Sequence, residues 1–213
     1  MSKVSRAFVL NNVVASFVKV YEAVPKMSGN GKEYSVQIIL PKDHPQAEEF
    51  KKVIMEMAAE AFPGKQVAAD SRLIRDADAE GKAVENAYMA DSYFFNLRRN
   101  ESQGKPPCAL PDGNLFDPTP QNLFSGCLVN VHIGMFSYSI TAPGTNNVIK
   151  FGISGSLNGL QVVDNQTVER LSGGGGVPTF GVVENANVSM VDAAIGGGHE
   201  PQAEEVKETA IPW

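Results

Sequence analysis

The chain has 213 residues, 43% of them apolar and 20% charged, with a formal net charge of -6 at pH 7. That length supports one medium domain with a full core and leaves little room for a second. Two cysteines, Cys108 and Cys127, and three scattered histidines form neither a disulfide framework nor a metal-ligand spacing. Residues 1–10 lack a basic-then-apolar leader, and no run of eighteen apolar residues occurs, so the expectation is a cytoplasmic protein without membrane association or cofactor.

Strand-like segments dominate. Residues 7–10 and 13–21 read as strands separated by Asn11-Asn12. In 34–40, Tyr34, Val36, Ile38 and Leu40 alternate with Ser35, Gln37 and Ile39, which points the first set at the core. The turn between these strands, Met27-Ser28-Gly29-Asn30-Gly31-Lys32, is a hairpin signal. Pro41 stops the second strand, and Asp43 is a candidate N-cap. The spacing then predicts an amphipathic helix over 45–62 with Phe50, Val53, Ile54, Met57, Ala58 and Ala61 on one face, ended by Pro63-Gly64.

A polar loop over 68–85 carries Arg72, Arg75 and the acids Asp76, Asp78 and Glu80. These acids lack the calcium-loop pattern and read as a solvated loop, with a divalent ion as the rival. The next strand, 87–97, is dense in aromatic residues and runs into Arg98-Arg99. Pro106, Pro107, Pro111, Pro118 and Pro120 mark a long irregular excursion before two last strands at 126–140 and 147–154. Several strands with one helix among them describe an all-β to α+β domain, and a five-stranded Greek-key barrel fits the count.

Charge divides the chain unevenly. Up to Arg170 there are 17 basic and 18 acidic residues; from Leu171 on there are 1 and 6. Residues 172–176 and 196–198 are glycine-rich and frame a segment poor in large apolar residues, which is expected to be flexible. The last residue, Trp213, is the sole tryptophan. A large ring at a chain end is seldom used for folding, so it is expected to fill a partner's pocket; an accidental ending, or one that docks on its own domain, is the alternative. The division is therefore 1–171 as a folded domain and 172–213 as a linker and acidic protein-interaction tail. Its candidate contacts are Glu204, Glu205, Glu208, Ile211, Pro212 and Trp213.

No catalytic constellation stands out. Gly152-Ile153-Ser154-Gly155 lies in a strand rather than at a strand-to-helix elbow, and 173–176 lacks the Lys-Ser/Thr of a phosphate loop. Aromatic residues beside basic ones are more informative, because single-stranded nucleic acid is held by bases stacked on rings while basic side chains follow the phosphates. In 89–99 one alternating set is Asp91, Tyr93, Phe95, Leu97 and Arg99, and the other is Ala90, Ser92, Phe94, Asn96 and Arg98. One set must face the core, so at least one ring there is structural. In 128–140 the separation is cleaner, with Val129, Val131, Ile133 and Met135 on one face and Asn130, His132, Phe136 and Tyr138 on the other. The alternative for Phe136 and Tyr138 is packing beneath the helix. Lys150 and Phe151 fall on the neighbouring strand. The nucleic-acid-binding candidates are Tyr93, Phe95, His132, Phe136 and Tyr138, with Arg72, Arg75, Arg98, Arg99, Lys105 and Lys150.

These motifs bear a family resemblance. Phe124-Ser125-Gly126-Cys127-Leu128-Val129-Asn130, then Tyr138, then Gly152-Ile153-Ser154-Gly155-Ser156-Leu157-Asn158-Gly159-Leu160-Gln161-Val162-Val163-Asp164 resemble segments of the OB-fold single-stranded-DNA-binding proteins of bacteriophages. Tyr34-Ser35-Val36 with Leu40-Pro41-Lys42 resembles that family's early strand and its step into the helix. Arg75-Asp76-Ala77-Asp78 resembles its Arg-Asp-Gly-Asp loop, with Ala77 in place of glycine, and Phe124 stands where tyrosine is frequent. Ile211-Pro212-Trp213 is similar to the Ile-Pro-Phe ending of bacterial single-stranded-DNA-binding proteins. The resemblance implies an OB-like barrel, no enzymatic activity, single-stranded DNA as ligand, and replication or recombination proteins as partners of the tail. A homodimer stays open. The rival readings are a virion structural or assembly protein and a nuclease using Asp76 and Asp78.

Overall fold

A computed structural model of the chain describes residues 3–27, 29–145 and 147–171. Glu204, Glu205, Glu208, Ile211, Pro212, Trp213 and both glycine-rich segments lie outside the described residues, and so do the expectations placed on them.

Five long strands carry the fold: β1 (Ser5–Pro25), β2 (Lys32–Pro41), β4 (Ser92–Asn100), β7 (Leu128–Thr141) and β8 (Val148–Asp164). Three two-residue strands attach to them, β3 (Arg75–Asp76), β5 (Cys108–Ala109) and β6 (Leu115–Phe116). The sheet order is β3-β4-β2-β1-β7-β8-β5-β6, and a parallel β4–β8 pairing at Arg98 and Ser156 joins the long strands into a closed five-stranded barrel. Closure removes the exposed edges that an open sheet would present.

The expected break at Asn11-Asn12 is a bulge inside one continuous strand. Leu10 pairs with Val131 and Val13 with Val129, and Asn12 (φ 52°) donates its backbone N–H to Asn130 Oδ1 at 3.0 Å. A second irregularity lies between Ser16 and Lys19. Bulges increase local twist and bend, which lets a 21-residue strand wrap far enough to pair with β2 on one side and β7 on the other.

The inward set of β7, Val129, Val131, Ile133 and Met135, is buried as its alternation predicts, and so are Val36, Ile38 and Leu40. Tyr34 is only half-buried. Ile39, on the outer face, is buried too, because Ala77, Met89 and Phe94 form a second small cluster over it. Helix α1 (Ala47–Ala61) buries Phe50, Ile54, Met57 and Ala61 against the barrel core, with the Phe50 ring 5.1 Å from Phe8 and 5.2 Å from Phe95. Its N-cap is Gln46 rather than Asp43. The Gln46 side chain accepts from Asn11 N at 2.9 Å and donates to Val9 O at 3.0 Å, so it ties the helix start to the β1 bulge instead of capping the helix.

Two strand boundaries also differ. Residues 87–89 form a 3₁₀ turn, and β4 begins at Ser92 after Asp91 with φ 51°. β8 continues ten residues past the expected end at Ser154, to Asp164. Its Gly-Ser-Leu-Asn-Gly composition has weak strand propensity, but β7 pairs with it along its whole length. Among the described residues no helix is long and apolar enough to cross a membrane.

Candidate nucleic-acid interface

An open groove of about 770 Å³ runs over the outer wall where β4, β8 and β7 meet. β7 supplies Phe136 and Tyr138, β8 supplies Ser154 and Ser156, and β4 supplies Asn96, Arg98 and Asn100. The far wall is the segment 70–75, including Arg72 and Arg75. The barrel register explains why the rings stand clear. Phe136 is paired with Ser154 and Tyr138 with Gly152, so each ring has a small or absent side chain as its cross-strand neighbour. Phe136 is 40% exposed and Tyr138 is half-buried. Neither lies beneath α1.

Gly152 has a second role. A Cβ there would lie 2.1 Å from Ser71 O, so the loop backbone rests directly on the strand where only glycine admits it. Lys150 secures the same loop through a 2.8 Å ion pair with Asp70, and that pairing holds the Asp70 carboxyl below its ordinary range. Lys150 is thus engaged with the loop rather than standing free. Further along, Lys42 reaches Asp76 at 2.9 Å and Asp78 at 2.7 Å, while Asp76 Oδ1 accepts from Asp78 N and Ala79 N. Ala77 fits this turn fully buried, without a positive φ. The acids considered for a divalent ion are therefore bound up with a lysine and three backbone amides, since Asp78 Oδ1 also accepts from Asp91 N at 3.2 Å, and Glu80 pairs with Arg75 at 3.3 Å.

The expected site residues separate into groups. Arg72, Arg75, Arg98, Phe136 and Tyr138 converge on the groove. Arg98 is half-exposed with a 3.4 Å contact to Glu33, and the Arg75 guanidinium lies 4.4 Å over the Phe94 ring. Phe95 requires correction as a stacking ring: it is 1% exposed and packs on Phe50 inside the barrel. Arg99 also requires correction, because it donates to Gly104 O and Gln103 O at 2.9 Å and to Leu157 O at 3.4 Å, fastening the turn after β4 to β8. Tyr93 sits on the helix side, its hydroxyl accepting from Lys51 Nζ at 3.2 Å and Lys42 lying 5.6 Å from its ring centroid. Lys105 pairs with Asp117 in the proline-rich excursion. His132 is exposed on β7 between Val9 and Gly159, apart from the groove lining.

Sequence reasoning missed Asn96, Asn100, Ser154 and Ser156. The signal was present as a period-two run, Gly152, Ser154, Ser156, of small residues on one strand face, and as Asn96 and Arg98 alternating with buried Phe95 and Leu97.

A closed five-stranded barrel with a helix packed on its core and a ring-bearing, arginine-rimmed groove on its wall has the architecture of an OB-type barrel. Comparison with known proteins narrows this. The family model described as "Enterobacter phage Enc34, ssDNA-binding protein" matches residues 6–176, and the chain belongs to that family. Among solved structures, the single-stranded DNA-binding protein of bacteriophage Enc34 in complex with ssDNA is similar at 15% identity and TM-score 0.59, covering 76% of this chain and 88% of that one. The same phage protein on its own has a TM-score of 0.57 at 15% identity, covering 80% and 86%. A further match is gp2.5, a single-stranded DNA binding protein encoded by bacteriophage T7, with a TM-score of 0.50 at 13% identity, covering 95% and 100%. At these identities the likeness is one of fold. Among curated proteins none matches the chain.

Proposed function

We propose that this chain is a non-enzymatic phage protein that binds single-stranded DNA, coating and protecting it during replication or recombination in the host cytoplasm. Residues 1–171 are its DNA-binding domain, and 172–213 are a linker and acidic tail that recruits replication or recombination proteins. The observation that carries this reading is the groove in which Phe136 and Tyr138 face small residues across the strand pair while Arg72, Arg75 and Arg98 line the same groove. Bases stack on the rings without regard to sequence, and the guanidinium groups neutralise phosphates. Three phosphate contacts would give a log–log salt slope of about -2. Fluorescence anisotropy with labelled single-stranded DNA, duplex DNA and RNA oligomers tests the reading. Preference for the DNA single strand, weakening with salt, is expected; equal affinity for duplex overturns it.

A further inference from the structure

β1 departs from regular geometry a second time at Phe17. Ser16 pairs with Gln37 and Lys19 with Ser35, so Phe17 and Val18 together stand opposite Val36 alone. Val18 turns inward at 9% exposure; Phe17 is the extra residue, 51% exposed, with φ 45°. Asn12 and Asp91, the other described non-glycine residues with positive φ, are of types that tolerate the left-handed region. A bulky phenylalanine is a steric outlier there. The ring gains little burial in exchange for that strain, and strained backbone clusters at functional sites.

The bulge lies on the same outer wall as the groove. Groove-lining Asn96 pairs with Gln37, whose amide donates to Asn96 Oδ1 at 3.4 Å, and Gln37 in turn pairs with Ser16, the neighbour of Phe17. Two strand spacings, about 10 Å, therefore separate the groove's edge from the bulge. Lys19, exposed, follows on the same strand opposite Ser35, which itself pairs with Arg98. Bulges re-aim side chains next to binding sites, and this one leaves the Phe17 ring half-exposed.

We infer that Phe17 is a second stacking subsite for single-stranded DNA, reached by a strand that leaves the groove at Asn96 and crosses the Gln37–Asn96 amide pair, with Lys19 beside the phosphates. The inference rests on the proposed function. It gives the barrel two ring platforms, Phe136 with Tyr138 on one side of β4 and Phe17 on the other, so that the DNA path crosses β8, β4, β2 and β1.

The test compares the full chain with Phe17→Gly, Phe17→Tyr and Tyr138→Ala, using labelled oligothymidines of increasing length. Glycine accepts φ 45° without strain, so Phe17→Gly is expected to melt no lower than wild type. Expected is wild-type affinity of Phe17→Gly for the shortest oligomers that bind, a loss on the order of ten-fold for those long enough to reach β1, and recovery in Phe17→Tyr. Tyr138→Ala weakens every length. Wild-type affinity of Phe17→Gly at all lengths, alongside weakened Tyr138→Ala, overturns the subsite and leaves the groove standing. Absence of single-strand binding by the wild-type chain overturns both.

Discussion

Adjacent aromatic and basic residues of β4 and β7 have opposite duties, set by the face each occupies. Phe95 fills the barrel beneath Phe50, whereas Tyr138 stands on the outer wall opposite Gly152. Phe95→Ala is accordingly expected to destabilise the fold by about 3–5 kcal/mol, read as a lowered denaturant midpoint. Tyr138→Ala should leave that midpoint almost in place and lower single-strand affinity by about 1–3 kcal/mol. The same contrast divides Arg98 from Arg99. Arg98→Ala should flatten the salt slope of binding by about 0.7, while Arg99→Ala releases three carbonyls and should show itself in thermal stability. The run Tyr-Phe-Phe-Asn-Leu-Arg-Arg announced two alternating sets without saying which lay inside. That depended on α1, which places Phe50 against Phe95.

At the scale of elements, the segment from residue 69 to β3 is the far wall of the groove, and beside the Lys150–Asp70 pair two further contacts hold it. The first is the close approach of Ser71 O to Gly152. Gly152→Ala should push the loop off β8, lower the melting temperature and weaken DNA binding together, because Arg72 and Arg75 move with it; melts and anisotropy on one variant check both. The second is the Lys42 bridge to Asp76 and Asp78. Hydrogen bonding to Lys42, followed by the backbone N–H groups of Ala79 and Asp78, holds the Asp76 carboxyl below its ordinary value against opposing desolvation. Its folded pKa is depressed, so its contribution is present above the unfolded value, about 3.9, and is lost as pH falls through the folded value. Asp76→Asn should thus melt lower than wild type at pH 7, and the gap should close below about pH 4. The Phe124-Ser125-Gly126 motif that contributed to the family resemblance is likewise a packing element. Gly126 (φ 117°) admits Glu169 O, Leu171 N donates to Ser125 O at 2.8 Å, and Arg170 lies 3.9 Å over the Phe124 ring.

For the whole molecule, the uneven charge of the chain carries a prediction about the full-length protein. An acidic tail tethered to an arginine-rimmed domain would compete with DNA at high effective concentration. Deleting residues 200–213 should therefore tighten single-strand binding at low salt and have little effect at high salt; unchanged low-salt affinity in anisotropy would remove the idea of autoinhibition. Substituting Trp213 alone should spare DNA binding and weaken capture of a partner protein.

The amphipathic helix, the buried face of β7 and the core positions of β2 follow from sequence by itself, because period 3.6 and period 2 are local properties that burial on one side imposes. Family membership was legible for a similar reason, since the glycines and small residues that let backbones approach closely are tied to fixed positions. Tertiary structure alone decided the continuity of β1 through Asn11-Asn12, the closure at Arg98 and Ser156, and the placing of Phe95 inside and Tyr138 outside. Each depends on pairing between residues far apart in the chain, and a strand's alternation is the same whichever neighbour covers it. The groove belongs to that second group. Its rings, serines and arginines come from segments scattered over residues 71–156, and only barrel closure makes them neighbours.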